Sequence, residues 1–127
     1  MKRAIADTSV FVAQEAGREL GELPDKIAVS VVTAAELELG VLRARDTDTR
    51  ARRLATLSRV QSAYRLLPID AQTASCFARI AAHELQAGRK IRNHDAWITA
   101  SALRHGVAVV TQDNDFSAFS SVPVIRV

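Results

Sequence analysis

Five carboxylates in this sequence stand beside segments with strand or helix-start patterns: Asp7, Glu36, Asp95, Asp113 and Asp115. Asp7 ends the short apolar run Ala4-Ile5-Ala6, and Glu36 follows the run from Ile27 to Val31. Asp95 opens a helical pattern, while Asp113 and Asp115 follow Val107-Ala108-Val109-Val110. Carboxylates gathered in one place repel one another unless a cation sits among them. Hard oxygen donors without cysteine or clustered histidine suit Mg²⁺ or Mn²⁺ rather than zinc. The histidines offer no rival site, because His94 and His105, eleven residues apart, would be about 16 Å apart on one helix. His83 falls on the preceding helix. Cys76 has no motif-placed histidine or asparagine partner and reads as core. No Gly-rich phosphate loop, serine-centred elbow or paired-cysteine motif is present.

Each acid also has a purely structural reading. Asp7-Thr8-Ser9 would cap a following helix, and Thr33-Ala34-Ala35-Glu36 matches a capping box. Asp95 would be a first-turn acid favoured by the helix dipole, and Asp113 and Asp115 would be turn formers beside Asn114. Taken together, four or five acids at strand ends exceed what caps and turns require.

The elements that must position them alternate between apolar β-branched runs and helical periodicities, the pattern of an α/β fold with a parallel sheet. Strands are predicted over 4–6, 27–31, 65–67 and 107–110, with 123–127 as an edge strand where Pro123 is tolerated. Helices are predicted over about 33–45, 49–63, 71–87 and 95–104. In the third of these, Ala74, Phe77, Ala81 and Leu85 are expected to mark one face. Gly88 and Gly106 stand where helix C-termini would place them. Ligands of open parallel sheets bind beyond the carboxyl ends of the strands. Asp7, Glu36 and Asp113 are placed to converge there, and Asp95 joins them if its helix begins at that end.

The chain has 127 residues, of which 48% are hydrophobic, so one domain spanning 1–127 with an ample core is expected. A single cysteine excludes an internal disulfide and fits a reducing cytoplasm. The start Met1-Lys2-Arg3 runs too soon into Asp7 for a secretory leader. No apolar run approaches the roughly 20 residues that span a bilayer. Seventeen basic residues against fourteen acidic give a net charge of only +3, but the basic set is fourteen Arg and three Lys. Arg43, Arg45, Arg50, Arg52, Arg53, Arg59 and Arg65 lie in one stretch offset only by Asp46 and Asp48. Arginine's planar fork binds phosphate through paired hydrogen bonds, so a polyanionic partner is suggested; a solvated helical surface is the plain alternative.

Four segments, in order and spacing across the whole chain, carry a family resemblance. They are Ala6-Asp7-Thr8-Ser9-Val10, Ser30-Val31-Val32-Thr33-Ala34-Ala35-Glu36-Leu37, Asn93-His94-Asp95-Ala96-Trp97-Ile98 and Val109-Val110-Thr111-Gln112-Asp113-Asn114-Asp115-Phe116. The chain resembles the PIN-domain family, and within it the VapC-type toxins of toxin–antitoxin pairs. That resemblance implies a PIN-like α/β domain, its short central parallel sheet flanked by helices on both faces. It also implies an acidic metal site of Asp7, Glu36, Asp95 and Asp113, with Ser9 and Thr111 as supporting polar groups and Asp115 as the alternative fourth acid. The implied activity is Mg²⁺- or Mn²⁺-dependent cleavage of structured RNA, tRNA or rRNA, by a metal-activated water. The implied partners are a VapB antitoxin and a second copy of the chain. Candidates to hold the RNA backbone are Arg43, Arg45, Arg50, Arg52, Arg53, Arg89, Lys90 and Arg92. Trp97 and Phe116 are expected to pack in the core, and no aromatic platform for stacking bases is evident. Leu37, Leu39, Val41 and Leu42 present more apolar surface than one helix face buries, compatible with a partner groove. Two rival readings keep the acids but change the outcome: a PIN-like module that binds RNA or protein without cleaving, and a metal-dependent DNA nuclease.

Overall fold

The computed structural model describes residues 3–114, 116 and 122–127. In chain order the elements are β1 (Arg3–Ala6), α1 (Thr8–Glu15), β2 (Lys26–Ser30), α2 (Val31–Leu42), α3 (Thr47–Ala63), β3 (Leu66–Leu67), α4 (Ala71–Gln86), α5 (Asn93–His105), β4 (Ala108–Thr111) and β5 (Val124–Arg126). The strands form one sheet in the order β3-β2-β1-β4-β5, every pairing parallel. β5 is an edge strand, as Pro123 requires. A sheet covered on both faces needs strands that are apolar throughout rather than alternating. β1 and β4 meet that need: Ala4, Ile5, Ala6, Val109 and Val110 are all at most 2% exposed.

Side-chain alternation sorts the strands into two layers. Ala4, Ala6, Val29 and Val110 face Val10 and Phe11 of α1, Leu37 and Val41 of α2, and Leu57 and Val60 of α3. Ile5, Leu67 and Val109 face Ile98 and Ala102 of α5 on the other side, and α5 in turn packs Ala96 and Ala100 against Cys76 and Ile80 of α4. Cys76 is a buried free thiol, as the sequence suggests. Phe116 is buried and Trp97 half-buried, its ring stacked on Phe77 at 3.9 Å.

Two helix readings need correction. α2 begins at Val31 rather than Thr33, and its N-cap is Ser30, whose hydroxyl accepts from Val32 N. Thr33 therefore lies inside the helix and forms no capping box with Glu36. In α4 the buried face is Thr73, Cys76, Ile80 and Glu84; Ala74 and Leu85 are exposed. The register is turned by one residue because the buried position at the end of the helix holds a carboxylate. Glu84, 1% exposed, accepts from both Nε (2.6 Å) and NH2 (3.1 Å) of Arg89. Arg89 is thus committed to a structural pair that closes the α4 C-terminus beyond Gly88, whose φ of 75° is readily adopted by glycine. That use leaves it a poor candidate for the RNA-backbone role expected of it.

Candidate active site

Very short connections bring the acids to the carboxyl edge of the sheet. One residue, Asp7, separates β1 from α1, and no residue separates β2 from α2. The chain moves outward from β1 through β2 to β3, then returns to place β4 on the other side of β1. The crevice between β1 and β4 is therefore the switch point at which parallel sheets bind ligands. Asp7 follows the first of these strands, and Thr111 ends the second.

Asp7 occupies the N-cap position of α1 with extended backbone, yet its side chain makes no cap hydrogen bond. Its carboxylate is held for something else. Oδ2 accepts from Ser9 Oγ at 2.8 Å and from Thr111 Oγ1 at 2.9 Å, and the group is only 5% exposed. The two hydroxyls lie 3.1 Å apart. Ser9 Oγ accepts from Gln112 N at 2.9 Å, and Thr111 Oγ1 accepts from Asp113 N at 3.0 Å. Each hydroxyl thus accepts from a backbone amide and has its one proton within hydrogen-bond reach of Asp7. The loop that carries Asp113 is tied to the same network.

Glu36 stands on α2 one turn after Thr33. Its Oε1 accepts from Thr8 Oγ1 at 2.7 Å, with Thr33 Oγ1 3.2 Å from the same hydroxyl. Its Oε2 is 3.3 Å from Nδ1 of His94, an exposed side chain at the start of α5. Sequence reasoning missed Thr8, Thr33 and His94. Thr8 and His94 are immediate neighbours of Asp7 and Asp95, but nothing in their type or spacing signals the contact with Glu36.

Asp95, in the first turn of α5, is half-buried. Its carboxyl is pushed up to about 6, first by burial and next by the charge of Asp7; Asp113 and Glu36 push in the same direction and Arg92 opposes them. The four acids expected from the sequence thus share one electrostatic neighbourhood. Asp115 lies outside the described residues.

Three observations bear on whether a divalent cation fits here. The donors are hard carboxylate oxygens. Burial first and the charge of Asp7 next raise the Asp95 carboxyl, and a cation would relieve both. Among the described residues no three His, Cys, Asp or Glu side chains close into a ready metal cage. An open arrangement of this kind suits Mg²⁺, which keeps several waters and takes only one or two carboxylates plus phosphate oxygens.

A groove of ≈ 660 Å³ reaches the site at Glu36, with Thr8 and His94 beside it, and is lined further along by Arg43, Arg45 and Arg53 together with Glu15 and Asp46. Arg53 is steadied by donating NH1 to Gly40 O at 2.7 Å. Of the other candidate arginines, Arg50 reaches Ala44 O and Arg52 reaches Thr49 Oγ1, outside the groove lining. Lys90 and Arg92 are exposed. Apolar Val12 and Leu39 also line the groove, and they are 46% and 49% exposed.

The fold and site define a class. The PIN-domain family profile matches residues 4–121, and the chain belongs to the PIN-domain family. Within it, the chain is 48% identical to Ribonuclease VapC5 of Mycobacterium tuberculosis, over 97% of this chain and 94% of that protein. It is 41% identical to Ribonuclease VapC4 of the same organism, over 100% of this chain and 98% of that protein. Among solved structures it is similar to a member of the VapBC family of toxin–antitoxin systems, VapBC-5 of M. tuberculosis, with a TM-score of 0.88 at 44% identity and all of both chains covered. No helix of the described residues is long and apolar enough to cross a membrane.

Proposed function

We propose that this chain is a Mg²⁺- or Mn²⁺-dependent endoribonuclease and the toxin of a VapBC-type pair, acting on structured RNA such as tRNA or rRNA. The observation that carries this reading is geometric: at the β1–β4 switch point Asp7 is held by Ser9 and Thr111, and the neighbouring Thr8 holds Glu36. A protein built only to bind RNA has no reason to hold acids against one another beside an arginine-lined groove. Asp7 and Asp95 are assigned as the principal ligands of the cation, with Glu36 and Asp113 completing its surroundings directly or through water. The bound cation supplies charge that lowers the pKa of water and offsets charge on the phosphate.

The chain's own residues do the rest. Ser9 and Thr111 fix Asp7 through Oδ2, which leaves Oδ1 to turn toward the crevice. Thr8 fixes one oxygen of Glu36. Arg43, Arg45 and Arg53 hold backbone phosphates in the groove without reading sequence. The exposed Val12 and Leu39 line the same groove, which supports a VapB-type antitoxin segment as the partner that covers it. A homodimer is the assembly this reading carries.

The deciding experiment incubates the purified protein with structured RNAs in Mn²⁺, Mg²⁺ or EDTA, beside Asp7→Ala and Asp95→Ala. Cleavage that needs metal and both aspartates is expected. Cleavage surviving EDTA or both substitutions contradicts the metal reading. Metal-dependent cutting of DNA alone makes the chain a DNA nuclease, and salt-sensitive RNA binding without cleavage makes it a binding module.

A further inference from the structure

The amino edge of the sheet, at the opposite end from the acids, has a cavity of ≈ 390 Å³ with Arg3, Lys26, Arg65 and His105 in its lining and, among the described residues, no Asp or Glu. Strand register explains the gathering. Arg3 of β1 and Lys26 of β2 are Cα partners on neighbouring parallel strands. Alternation puts Arg3 on the face of Ile5 and Lys26 on the face of Ala28, both in the layer under α5. Arg65 precedes β3 by one residue and is tied to β2 through the bond from Val29 N to its carbonyl. It shares the face of Leu67, which is in that same layer.

Like charges on directly paired strand positions are destabilising. The ion pairs of the described residues include none for Arg3, Lys26 or Arg65. Asp25, exposed, adjoins Lys26 in sequence and enters none of the ion pairs of the described residues, while Asp70 is engaged elsewhere. Asp70 lies 3.7 Å from Arg104, and its carboxyl is held down by its own cap bonds with Thr73 and also by Arg104 and His105. The C-terminal end of α5 contributes about half a negative charge, met by Arg104 and His105 on its own last turn. Arg3, Lys26 and Arg65, all exposed, lie over an apolar floor that includes Ile5 and Leu67.

We propose that this cavity is a second site, separate from the acidic crevice, that binds adjacent phosphate groups, with Arg3, Lys26 and Arg65 as their cationic partners. Its volume falls in the range of small-ligand sites, and three separated donors suit a polyphosphate or neighbouring phosphodiesters better than a single carboxylate. The site does not depend on the nuclease reading.

The test is titration of the full chain with sodium tripolyphosphate and with ATP by calorimetry at low salt. Saturable binding to one site is expected, weakened about tenfold or more by Lys26→Gln and by Arg65→Gln separately, since each removes a charge-assisted bond. Arg79→Gln, exposed on α4 and outside the lining of both the cavity and the groove, is expected to change it less than about twofold. In an Asp7→Asn background, binding of a labelled single-stranded RNA identifies the source of the phosphate. If RNA supplies it, Lys26→Gln weakens RNA binding and flattens the salt slope by about 0.7 for each phosphate no longer neutralised. If a free nucleotide supplies it, RNA binding stays unmoved while ATP binding falls. Binding that is non-saturable, or indifferent to both substitutions, overturns the site. Ligand-free Lys26→Gln is expected to melt at or above the wild-type temperature because a cross-strand repulsion is gone; a lower melting temperature removes the uncompensated charge on which the proposal stands.

Discussion

One sheet carries two opposite electrostatic ends. At the carboxyl edge, Asp7, Glu36, Asp95 and Asp113 share a neighbourhood in which burial and mutual repulsion lift the Asp95 carboxyl to about 6. At the amino edge, Arg3 and Lys26 are strand partners with Arg65 beside the same cavity. The Glu84–Arg89 pair shows how the same chain treats charge kept for architecture. There a buried carboxylate receives two guanidinium bonds, and its carboxyl is held below the usual range chiefly by those bonds. Structural charge is neutralised within the chain. The two sheet edges instead gather like charges, acids at one and cations at the other, and α5 links them, with Asp95 in its first turn and His105 in its last.

The contrast breaks most completely at Asp7. Asp7→Asn is expected to lower the rate of RNA cleavage by about 10³-fold or more, since several kcal/mol of charge stabilisation is lost, with little change in fold as judged by circular dichroism. Thr111→Val, which removes one donor from Asp7 Oδ2, is expected to cost about tenfold in kcat, the equivalent of roughly one hydrogen bond. A Thr111→Ser variant restores the hydroxyl and should recover most of that loss.

Stability in the absence of metal sharpens the difference between the two kinds of carboxylate. The folded state holds the Asp95 proton more tightly than the unfolded chain, whose value is near 3.8. The ionised group therefore costs stability above about pH 6, and that cost disappears as pH falls toward 4. In EDTA at pH 7.5, Asp95→Asn is expected to raise unfolding stability by about 1–2 kcal/mol, a figure reduced for the group's partial exposure. Glu84 has the opposite sign. Its stabilisation is complete above the ordinary value of 4.5 and is lost as pH falls through its lower folded value. Arg89→Ala is expected to lower the melting temperature at neutral pH and to flatten the acid limb of the stability curve, both read by thermal denaturation across pH. The smallest effect belongs to the groove: Arg43→Gln should raise KM a few-fold with kcat unchanged and reduce the salt slope of binding by slightly under one.

Much of this organisation is legible in the residues. β1 and β4 announce themselves because strands buried on both faces must be apolar throughout, and Asp7 and Asp113 are conspicuous directly after them. Glu36 and Asp95 are legible as acids at helix starts, although their convergence depends on strand order, which periodicity does not encode. Where polar groups are buried, the pattern misleads. Glu84 occupies the position that closes the inner face of α4, so the alternation of Ala74, Phe77, Ala81 and Leu85 points one residue away from the true buried set. Thr33 imitates a cap, yet Ser30 provides it because β2 passes into α2 without a loop. His94 and Thr8 reach Glu36 from elements distant in sequence, and Arg3 meets Lys26 only through parallel register.

The central claim is that the strand-end acids form one coupled site suited to a divalent cation. Its most direct test is a carbon-detected NMR titration of the Asp95 carboxyl in metal-free wild type, in Asp7→Asn and in wild type with saturating Mg²⁺. The midpoint is expected near 6 in the wild type, lower when the Asp7 charge is removed, and below the ordinary carboxylate range when Mg²⁺ is bound. An Asp95 that titrates near 3.8 in all three samples would contradict the claim.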